Sequence, residues 1–289
     1  MASTEHALTE AHLEGALRLT RAAHWNQNAA DWRLMLALGR AWGITAADGT
    51  LVASTLVLPF REGTDAGGGF AWVSMVLVLP DHRRQGHASR LLRRATAWLQ
   101  SERLTPLLDA TPAGHAVYVQ EGFLDTWGFA RHALTGAFTA PAASPEVRVR
   151  PLERRDWPAL AALDRPAFGA DREAVLRALA ARLPEAAWVA EHQGRLVGFL
   201  LGRDGHEARQ LGPLVATHPS AAKALLSAAL ARVAVPVYLD LAEREAALRD
   251  WLASGGFVFQ RPFTRMVRGA ARAPGDAARV VLVAGPELG

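Results

Sequence analysis

The stretch from Val73 to Leu99 constrains the fold more than any other part of the chain, because it joins three unlike segments in a fixed order. An apolar run ends at Pro80, an arginine-rich loop containing Gly86 follows, and an amphipathic segment with helical spacing comes last. The amides in the first turn of a helix lack partners inside the helix, and the helix dipole adds positive potential there. A glycine lets an anion reach the main chain closely. The sequence therefore predicts a strand, a loop and a helix that together bind a pyrophosphate.

The loop in this stretch follows a recognisable pattern. The motif R-x-x-G-x-A over residues 83–88, preceded by V-x-V-x-P over residues 76–80, resembles the acetyl-CoA signature of the GCN5-related N-acetyltransferases, the GNAT superfamily. In that superfamily the loop amides hold the CoA pyrophosphate, and the preceding strand, bulged and splayed, pairs its backbone with the pantetheine arm. The cofactor-binding residues that this resemblance implies are Val76, Leu77, Val78, Arg83, Arg84, Gln85, Gly86, His87, Ala88, Ser89 and Arg90.

Two other interpretations of this loop remain open. A glycine-containing loop with arginines also occurs as an ordinary solvated turn between a strand and a helix. Nucleic-acid binding is a weaker alternative, because aromatic residues do not interleave the arginines and the sequence contains no recognised nucleic-acid motif. The arginines in question are Arg83, Arg84, Arg90, Arg93 and Arg94.

A second motif lies between Leu107 and Phe123. Its first residues, LLDATP, predict a strand and then a helix, with Thr111 as the N-cap and Pro112 at the first helical position. Tyr118, four residues before a Gly-Phe pair, resembles the GNAT tyrosine that protonates the CoA thiolate as it leaves. A phenol with a pKa near ~10 suits a thiol with a pKa near ~8.5. The alternative is a core tyrosine whose hydroxyl is satisfied by the fold.

The chain also repeats itself. Leu-Leu pairs begin at Leu91 and Leu225, and Gly-Phe pairs begin at Gly122 and Gly256, so that both pairs are separated by 134 residues (225 − 91 and 256 − 122). A repeat of this size indicates two copies of one domain. The length of 289 residues agrees with two domains.

We expect these domains at residues 1–139 and 147–289, with a linker rich in proline and alanine, Thr139 to Glu146, between them. The resemblance implies an α/β fold of the α+β kind, in which each of two tandem GNAT-like domains has a central, mixed and mostly antiparallel sheet flanked by helices. A last apolar run, from Val280 to Ala284, is expected to add an edge strand to one of the domains.

The two copies differ in the residues that carry chemistry. At the same spacing, Thr217, Ser220 and Leu252 take the places of the motif's arginine, its glycine and the tyrosine. Leu252 has no proton to donate, and a loop without the arginine and the glycine is less suited to phosphate. We therefore expect one acetyl-CoA site, in the N-terminal domain, and a degenerate C-terminal domain.

The resemblance places the acceptor wall on the first two helices and the loop between them, which here covers Ala22 to Trp32. Trp25, Asn26 and Trp32 are the expected acceptor-binding residues, because aromatic faces near a carboxylate favour an ammonium group. The carboxylate in this segment is Asp31. Helical spacing offers the alternative that Trp32 belongs to the core.

The reaction also needs a base. An alkyl amine with a pKa near ~10 is protonated at neutral pH and must lose a proton before it attacks. Asp109, at the carboxyl end of its strand, and His115 are the candidate bases, directly or through water. The alternative for Asp109 is to cap a helix, and His115 is alternatively an ordinary exposed residue. Alignment of the amine and the thioester can itself supply much of the rate.

These features predict an N-acetyltransferase that moves an acetyl group from acetyl-CoA to a primary amine of a small molecule by direct attack. The alternatives are a non-catalytic acetyl-CoA sensor and an enzyme that acetylates protein amines. Tyr118 favours an enzyme, because a sensor needs no acid for a thiolate. A second domain that narrows the cleft would favour small acceptors over proteins.

Composition excludes several other classes. The chain has no cysteine, which excludes disulfides, thiolate metal sites and a cysteine nucleophile, and we expect no metal. The sequence offers no apolar run of membrane-spanning length, and its first ten residues lack the features of a signal peptide. We expect a cytoplasmic monomer or homodimer whose partner is a small-molecule amine, not a nucleic acid or a membrane.

Overall fold

The computed structural model describes residues 3–61, 68–139 and 146–289 of the chain. Residues 140–145, most of the expected linker, lie outside these described residues. The first half contains a strand, two helices, three strands, a helix, a strand, a helix and a strand. These elements are β1 (Thr4–Leu8), α1 (Leu13–Ala22), α2 (Ala29–Leu38), β2 (Arg40–Thr45), β3 (Leu51–Arg61), β4 (Gly69–Val78), α3 (His87–Ser101), β5 (Thr105–Ala110), α4 (Pro112–Gln120) and β6 (Leu124–Leu134).

The second half repeats this order of elements and then adds one short strand. The repeat that the sequence predicts is thereby confirmed. Its elements are β7 (Arg148–Pro151), α5 (Trp157–Phe168), α6 (Glu173–Arg182), β8 (Trp188–His192), β9 (Arg195–Arg203), β10 (Arg209–Ala216), α7 (Ala221–Leu230), β11 (Val237–Ala242), α8 (Ala246–Ser254), β12 (Val258–Val267) and β13 (Val280–Leu282).

The strands of the described residues form one continuous sheet, in the order β1-β2-β3-β4-β5-β12-β6-β11-β13-β10-β9-β8-β7. Neighbouring strands are antiparallel except for the pairs β4–β5 and β10–β11, which are parallel. The expected α+β class, with a mixed and mostly antiparallel sheet in each half, is therefore confirmed. Within the described part of the chain, no helix has the length and hydropathy to cross a membrane.

The two halves exchange their last long strands. β12 lies between β5 and β6 of the first half, and β6 pairs in turn with β11 of the second half. Each exchanged strand carries an arginine that forms a buried bidentate ion pair: Arg265 with Asp109 at 2.8 and 2.9 Å, and Arg131 with Asp240 at 2.8 Å. The arginines are 134 residues apart (265 − 131), so the repeat preserves this contact.

In the first half, β4 and β5 pair only at their beginnings and then diverge. The parallel ladder between them ends at Trp72 and Leu107. Met75 and Val76 form a bulge, because β3 supplies a single residue opposite these two. Ser54 fixes the bulge, since its hydroxyl donates to the Met75 carbonyl at 2.7 Å. Beyond the ladder, the edge of β4 that faces β5 is therefore open for pairing with another group.

In the second half, β10 and β11 diverge in the same way, but β13 fills the opening. Leu282 of β13 lies opposite Leu214 of β10 and Leu241 of β11, antiparallel to both. The expectation that Val280 to Ala284 adds an edge strand was wrong. The physical reason is that two diverging strands leave backbone groups on both sides of the gap, and a strand placed between them satisfies both sets.

Helices cover both faces of this sheet. α3 buries Leu91 and Leu92 against one face of β3 and β4, whereas α1 and α2 pack on the other. α7 buries Leu225 and Leu226 in the equivalent place in the second half. The repeated leucine pairs are thus the contacts that hold the equivalent helix to each half of the sheet.

Aromatic rings join the halves on the face that carries α1 and α5. Phe168 of α5 packs against Phe60 and Trp72 of the first half, with ring centroids 4.7 and 5.8 Å apart. Trp72 also donates its indole N–H to the Pro286 carbonyl at 3.1 Å. The chain after β13 is thereby held against the first half, close to the place where β4 and β5 separate.

Candidate active site

The loop between β4 and α3 presents open backbone amides. A 3-10 turn, Pro80–His82, leads into it, and α3 begins directly after Gly86. Among the described residues, none accepts a hydrogen bond from the amides of residues 84–89. Gly86 has a φ of +78°, and the space where a Cβ would stand is empty. A run of free amides at a helix N-terminus is an arrangement that binds phosphate groups.

The arginines of this loop differ in their freedom. Arg90 is committed to Glu5, with Nε 2.7 Å from the carboxylate. Arg83 directs its Nε to the Val78 carbonyl at 3.2 Å. Arg84 is exposed and has a φ of +60°. Arg83 and Arg84 are therefore the cations that remain for a phosphate beside the open amides.

The side chains of the other expected loop residues offer no further charge to a phosphate. Gln85 is exposed, and its side-chain amide reaches back to the Asp81 carbonyl at 3.4 Å. His87 is buried, and this burial lowers the pKa of its imidazole, so the ring is neutral at pH 7. Ala88 and Ser89 are half-buried in the first turn of α3.

A cavity lies where β4 and β5 separate. Its walls come from the connection between α1 and α2, the bulge of β4, the end of β5 with α4, strand β6, strand β12 and the segment after β13. Both halves of the chain therefore build it. The lining residues are Trp25, Gln27, Val73, Ser74, Met75, Val76, Asp109, Thr111, Tyr118, Arg131, Arg261, Phe263, Pro286 and Glu287.

Tyr118 lines this cavity together with the bulge. Its ring packs edge-on against Phe123, and Gly114 leaves room for it, because a Cβ at Gly114 would lie 2.9 Å from the ring. None of the described residues hydrogen-bonds its hydroxyl, and burial raises its pKa to about 12. The phenol is therefore protonated at neutral pH and has its proton available for a ligand.

Asp109 lines the cavity but is engaged by β12. Both of its carboxylate oxygens accept hydrogen bonds from Arg265, and burial raises the pKa of the carboxyl while Arg265 opposes that rise. Taking a proton would break this pair, so we propose that Asp109 positions β12 instead of acting as the base. His115, the other candidate, contacts Asp125 at 2.8 Å and lies outside the described cavity lining.

The three expected acceptor-binding residues separate in the structure. Trp25 lines the cavity, whereas Asn26 and Trp32 are not among its described lining residues. Asn26 is buried and exchanges two hydrogen bonds with the backbone of Ala208, at 2.9 and 3.0 Å, so it joins the halves. Trp32 is fully buried and donates to the Thr20 hydroxyl at 2.9 Å. It therefore belongs to the core, the alternative that its helical spacing offered.

Among the polar cavity residues that sequence reasoning missed, three share one feature: Gln27, Arg261 and Glu287. Each has a buried polar atom without a hydrogen-bond partner among the described residues, namely Gln27 Oε1, Arg261 Nε and Glu287 Oε2. Buried polar atoms are normally paired, so three such atoms around one cavity indicate a place for a ligand. Gln27 lies inside the segment expected to form the acceptor wall. Local patterns gave no signal for Arg261 and Glu287, which belong to the second half.

An ion cluster holds Glu287 in place. Glu287 Oε1 accepts a short hydrogen bond from Arg203, and Arg203 also donates to Asp31 at 2.7 Å. Asp31 is further paired with Arg182 at 2.6 Å. The carboxylate expected at Asp31 in the acceptor wall therefore lies behind the cavity, where it helps to anchor Glu287.

The equivalent place in the second half has different contacts. At the start of α7, the Ser220 amide donates to the His218 ring at 3.3 Å, and the Ser220 hydroxyl contacts the Glu146 carboxylate. A carboxylate beside a helix N-terminus occupies the position that an anion would take. Leu252 stands where the first half has its tyrosine, and it is fully buried.

Comparisons with known proteins match both halves. A family model described as the acetyltransferase (GNAT) family matches residues 5–123, and a model of an acetyltransferase (GNAT) domain matches residues 160–281. Among curated proteins, the uncharacterised N-acetyltransferase YitH of Bacillus subtilis (strain 168) is 25% identical over 252 residues, which cover 86% of each chain.

Solved structures share the whole fold. A putative acetyltransferase from Pyrococcus horikoshii superposes with a TM-score of 0.79 at 18% identity, covering 99% of this chain and 96% of that one. A tandem GNAT protein from the clavulanic acid biosynthesis pathway superposes with a TM-score of 0.63 at 16% identity, covering 95% of this chain and all (100%) of that one.

Proposed function

We propose, from the premise that the chain belongs to the GNAT family and carries a domain of that family in each half, that its first half transfers an acetyl group from acetyl-CoA to the primary amine of a small molecule. Family membership makes the chain an acyltransferase, and the donor, the acceptor and the residues are our proposal. The observation that carries it is that the bulge at Met75 and Val76 lines one cavity with Tyr118, and that β4 runs from this bulge toward the loop with the open amides.

The donor would bind along this opening. The amides of residues 84–89 would hold the pyrophosphate, and Arg83 and Arg84 would add charge to it. The edge of β4 at Val76 and Val78 would pair with the amides of the pantetheine arm, which would replace Arg83 as the partner of the Val78 carbonyl. Acetyl-CoA supplies an acetyl thioester when bound, and this path ends in the cavity that contains Tyr118.

The residues around the cavity suit direct transfer to an amine. The Val76 amide, freed by the bulge, can donate to the thioester carbonyl oxygen as negative charge develops there. Tyr118 can donate its proton to the leaving sulfur, and its pKa of about 12 ensures that the proton is present at neutral pH. Holding the amine and the thioester together in one cavity would supply the alignment.

The two tyrosines of the chain offer a matched test. Tyr118→Phe should lower the rate of thiol release from acetyl-CoA with small amines by about 10²- to 10⁴-fold, which is the contribution of a general acid. Its dissociation constant for acetyl-CoA, measured by calorimetry, should stay unchanged. Tyr238→Phe is the control, because that hydroxyl contacts Glu207 at 3.1 Å and is not among the described residues of the cavity.

Other outcomes would change the proposal. Equal turnover by Tyr118→Phe and the wild type would remove the phenol from the mechanism. Tight binding of acetyl-CoA without turnover on any amine or peptide would favour the non-catalytic sensor. Faster turnover on peptides than on small amines would replace the acceptor class, which we base on the enclosure of the cavity by Arg261 and Pro286 of the second half.

A further inference from the structure

The cavity contains two charged groups that the fold leaves incompletely paired. Of the four charged residues in its described lining, Asp109 and Arg131 are each held in one of the bidentate pairs of the exchanged strands. Arg261 and Glu287 are the other two, one of each sign. Both come from the second half, so they were brought to the cavity by β12 and by the segment after β13.

Glu287 is the negative member. Its side chain is 1% exposed, and only Oε1 is engaged, by Arg203. Oε2 has no hydrogen-bond partner among the described residues, and burial raises the pKa of the carboxyl. A buried carboxylate oxygen without a donor costs free energy that a bound cation would recover.

Arg261 is the positive member. Its Nε is buried without a partner in the described structure, and no ion pair joins its guanidinium to any described carboxylate. Its guanidinium carbon lies 5.3 Å from the centroid of the Phe263 ring. Burial and, to a lesser degree, Arg131 lower its pKa, and the nearby charges of Asp240 and Glu207 offset this only in part.

We propose that the acceptor carries a carboxylate as well as its primary amine, as in an amino acid, and that Glu287 binds the ammonium group while Arg261 binds the carboxylate. This inference rests on the acetyltransferase function proposed above and narrows its acceptor class. A guanidinium binds a carboxylate through parallel hydrogen bonds, and a carboxylate is the natural partner of an ammonium group. The two groups also give the acceptor one orientation, with its amine on the side of Glu287.

The same arrangement accounts for the protons. Glu287 takes one proton from the ammonium group, and the neutral nitrogen then bonds to the acetyl carbon as the carbon–sulfur bond breaks. Tyr118 gives its proton to the sulfur and regains one from the nitrogen as the amide forms. Glu287 releases its proton to solvent. In sum, an ammonium group and acetyl-CoA yield an N-acetyl amide, free CoA thiol and one proton.

A series of matched acceptors tests the class. Thiol release is measured with amino acids of increasing distance between amine and carboxylate, with their carboxamides, and with the corresponding amines that lack the carboxylate. We expect at least one amino acid to exceed its carboxamide and its amine by about 10- to 100-fold in kcat/KM, because a charge-assisted pair is lost in the others. Turnover in which the amines without a carboxylate are preferred would overturn the inference and leave the acetyltransferase function intact.

Variants at Arg261 test the residue. Arg261→Gln should raise KM for the preferred amino acid by about 10- to 100-fold and leave KM for the matched amine within about threefold. Arg261→Glu should reverse the preference toward diamines, an outcome that a purely structural role would not produce. Arg268→Gln, an exposed arginine beyond the end of β12, removes the same charge outside the described cavity lining and should change neither value.

Variants at Glu287 test the base. Glu287→Gln keeps the shape of the side chain and an acceptor for Arg203, and should lower kcat/KM for the amino acid by about 10- to 100-fold with acetyl-CoA affinity unchanged. With a hydrazide acceptor, whose amine is already neutral at pH 7, the same variant should show a much smaller loss of kcat/KM. An equal loss for both acceptors would assign Glu287 a structural role and overturn its part in the inference. Absence of wild-type turnover with every amine would instead contradict the proposed function itself.

Discussion

Both halves contain a gap between two diverging strands of the sheet, but the gap is open in the first half and filled by a strand in the second. In the first half, β4 and β5 separate beside free amides and leave a cavity that contains Tyr118. In the second half, β10 and β11 separate around β13, and Leu252 stands at the tyrosine's position. The fold survives in both copies, because it depends on strand order and on buried leucines. The capacity to bind a ligand differs, because β13 occupies the second gap and leaves no room for one.

The second half, whose gap is filled, supplies residues to the cavity of the first half. β13 passes through the second opening, and the residues after it reach the first half, where Trp72 holds the Pro286 carbonyl. Glu287 follows directly and lines the first cavity. The second half also supplies β12, which carries Arg261 and the partner of Asp109. A copy whose own gap is filled by a strand therefore contributes residues to the cavity of its neighbour.

The largest test of this comparison concerns the exchanged strands. Arg265→Met would leave the buried Asp109 without its partner and remove a guanidinium that stacks on Trp72 at 4.4 Å, at a cost of about 3–5 kcal/mol of unfolding free energy. Arg131→Met should cost less, about 3 kcal/mol, because Asp240 keeps a hydrogen bond from Gln210 at 3.0 Å. Urea unfolding measures both values.

The control for these variants is an exposed ion pair. Arg33→Met removes the partner of Glu10, whose side chain is 71% exposed, and should cost less than about 1 kcal/mol. Arg265→Met should also reduce turnover, since it frees β12 beside the cavity, and Arg131→Met should reduce it less. If both buried variants were as stable as the wild type, the strand exchange would not be what holds the halves together.

Local patterns predicted the parts of the structure that are built from neighbours in the sequence. The strand, loop and helix around Gly86 and the helix carrying Tyr118 depend on residues within a few positions of each other. The bulge at Met75 was expected through the resemblance, and its cause is visible only in the partner strand, where Ser54 binds it.

Contacts between the two halves could not be predicted from local sequence patterns. Asn26 and Ala208 are 182 residues apart, and no local feature distinguishes a buried asparagine that binds backbone from one that binds a ligand. The exchange of β6 and β12 left one usable signal, the equal spacing of Arg131 and Arg265, each buried opposite an aspartate. The sequence gives no such signal for Glu287, because its place in the cavity depends on the path of the chain after β13.

A smaller test compares two glycines that have a positive φ for different reasons. At Gly212, in the bulge of β10, a Cβ would lie 2.1 Å from the Val283 carbonyl oxygen, and φ is +140°. Gly212→Ala should therefore displace β13 and cost about 2–4 kcal/mol through strain and overpacking. Because Glu287 would shift with it, turnover should fall at least about tenfold while acetyl-CoA affinity is unchanged.

Gly86→Ala is the matched variant in the first half. A Cβ there meets no atom within 4 Å, so the left-handed φ alone should cost about 1 kcal/mol. The methyl group would stand where the pyrophosphate approaches the main chain, and acetyl-CoA affinity should fall by about tenfold. Calorimetry and urea unfolding on the same samples give both readouts. A loss of acetyl-CoA affinity in Gly212→Ala would contradict the division between a filled and an open cleft.

A last test concerns the ionisation of Tyr118, which its counterpart Leu252 cannot show. Burial raises the tyrosine's pKa from 10.0 to about 12 in the folded chain. Between these values the unfolded chain loses the proton and the folded chain keeps it, so rising pH favours unfolding. From pH 8 to pH 11 the wild type should lose about 1.4 kcal/mol of unfolding free energy relative to Tyr118→Phe, as measured by urea unfolding.

Tyr118→Leu copies the second half at this position and should behave like Tyr118→Phe, because neither variant has a proton to lose. The groups that titrate elsewhere are common to all three proteins and cancel in the difference. A constant difference between pH 8 and pH 11 would mean that water reaches the phenol as freely as in the unfolded chain. The first opening would then lack the dry environment that holds a proton ready for the departing thiolate, and the contrast with the second half would reduce to the loop and β13.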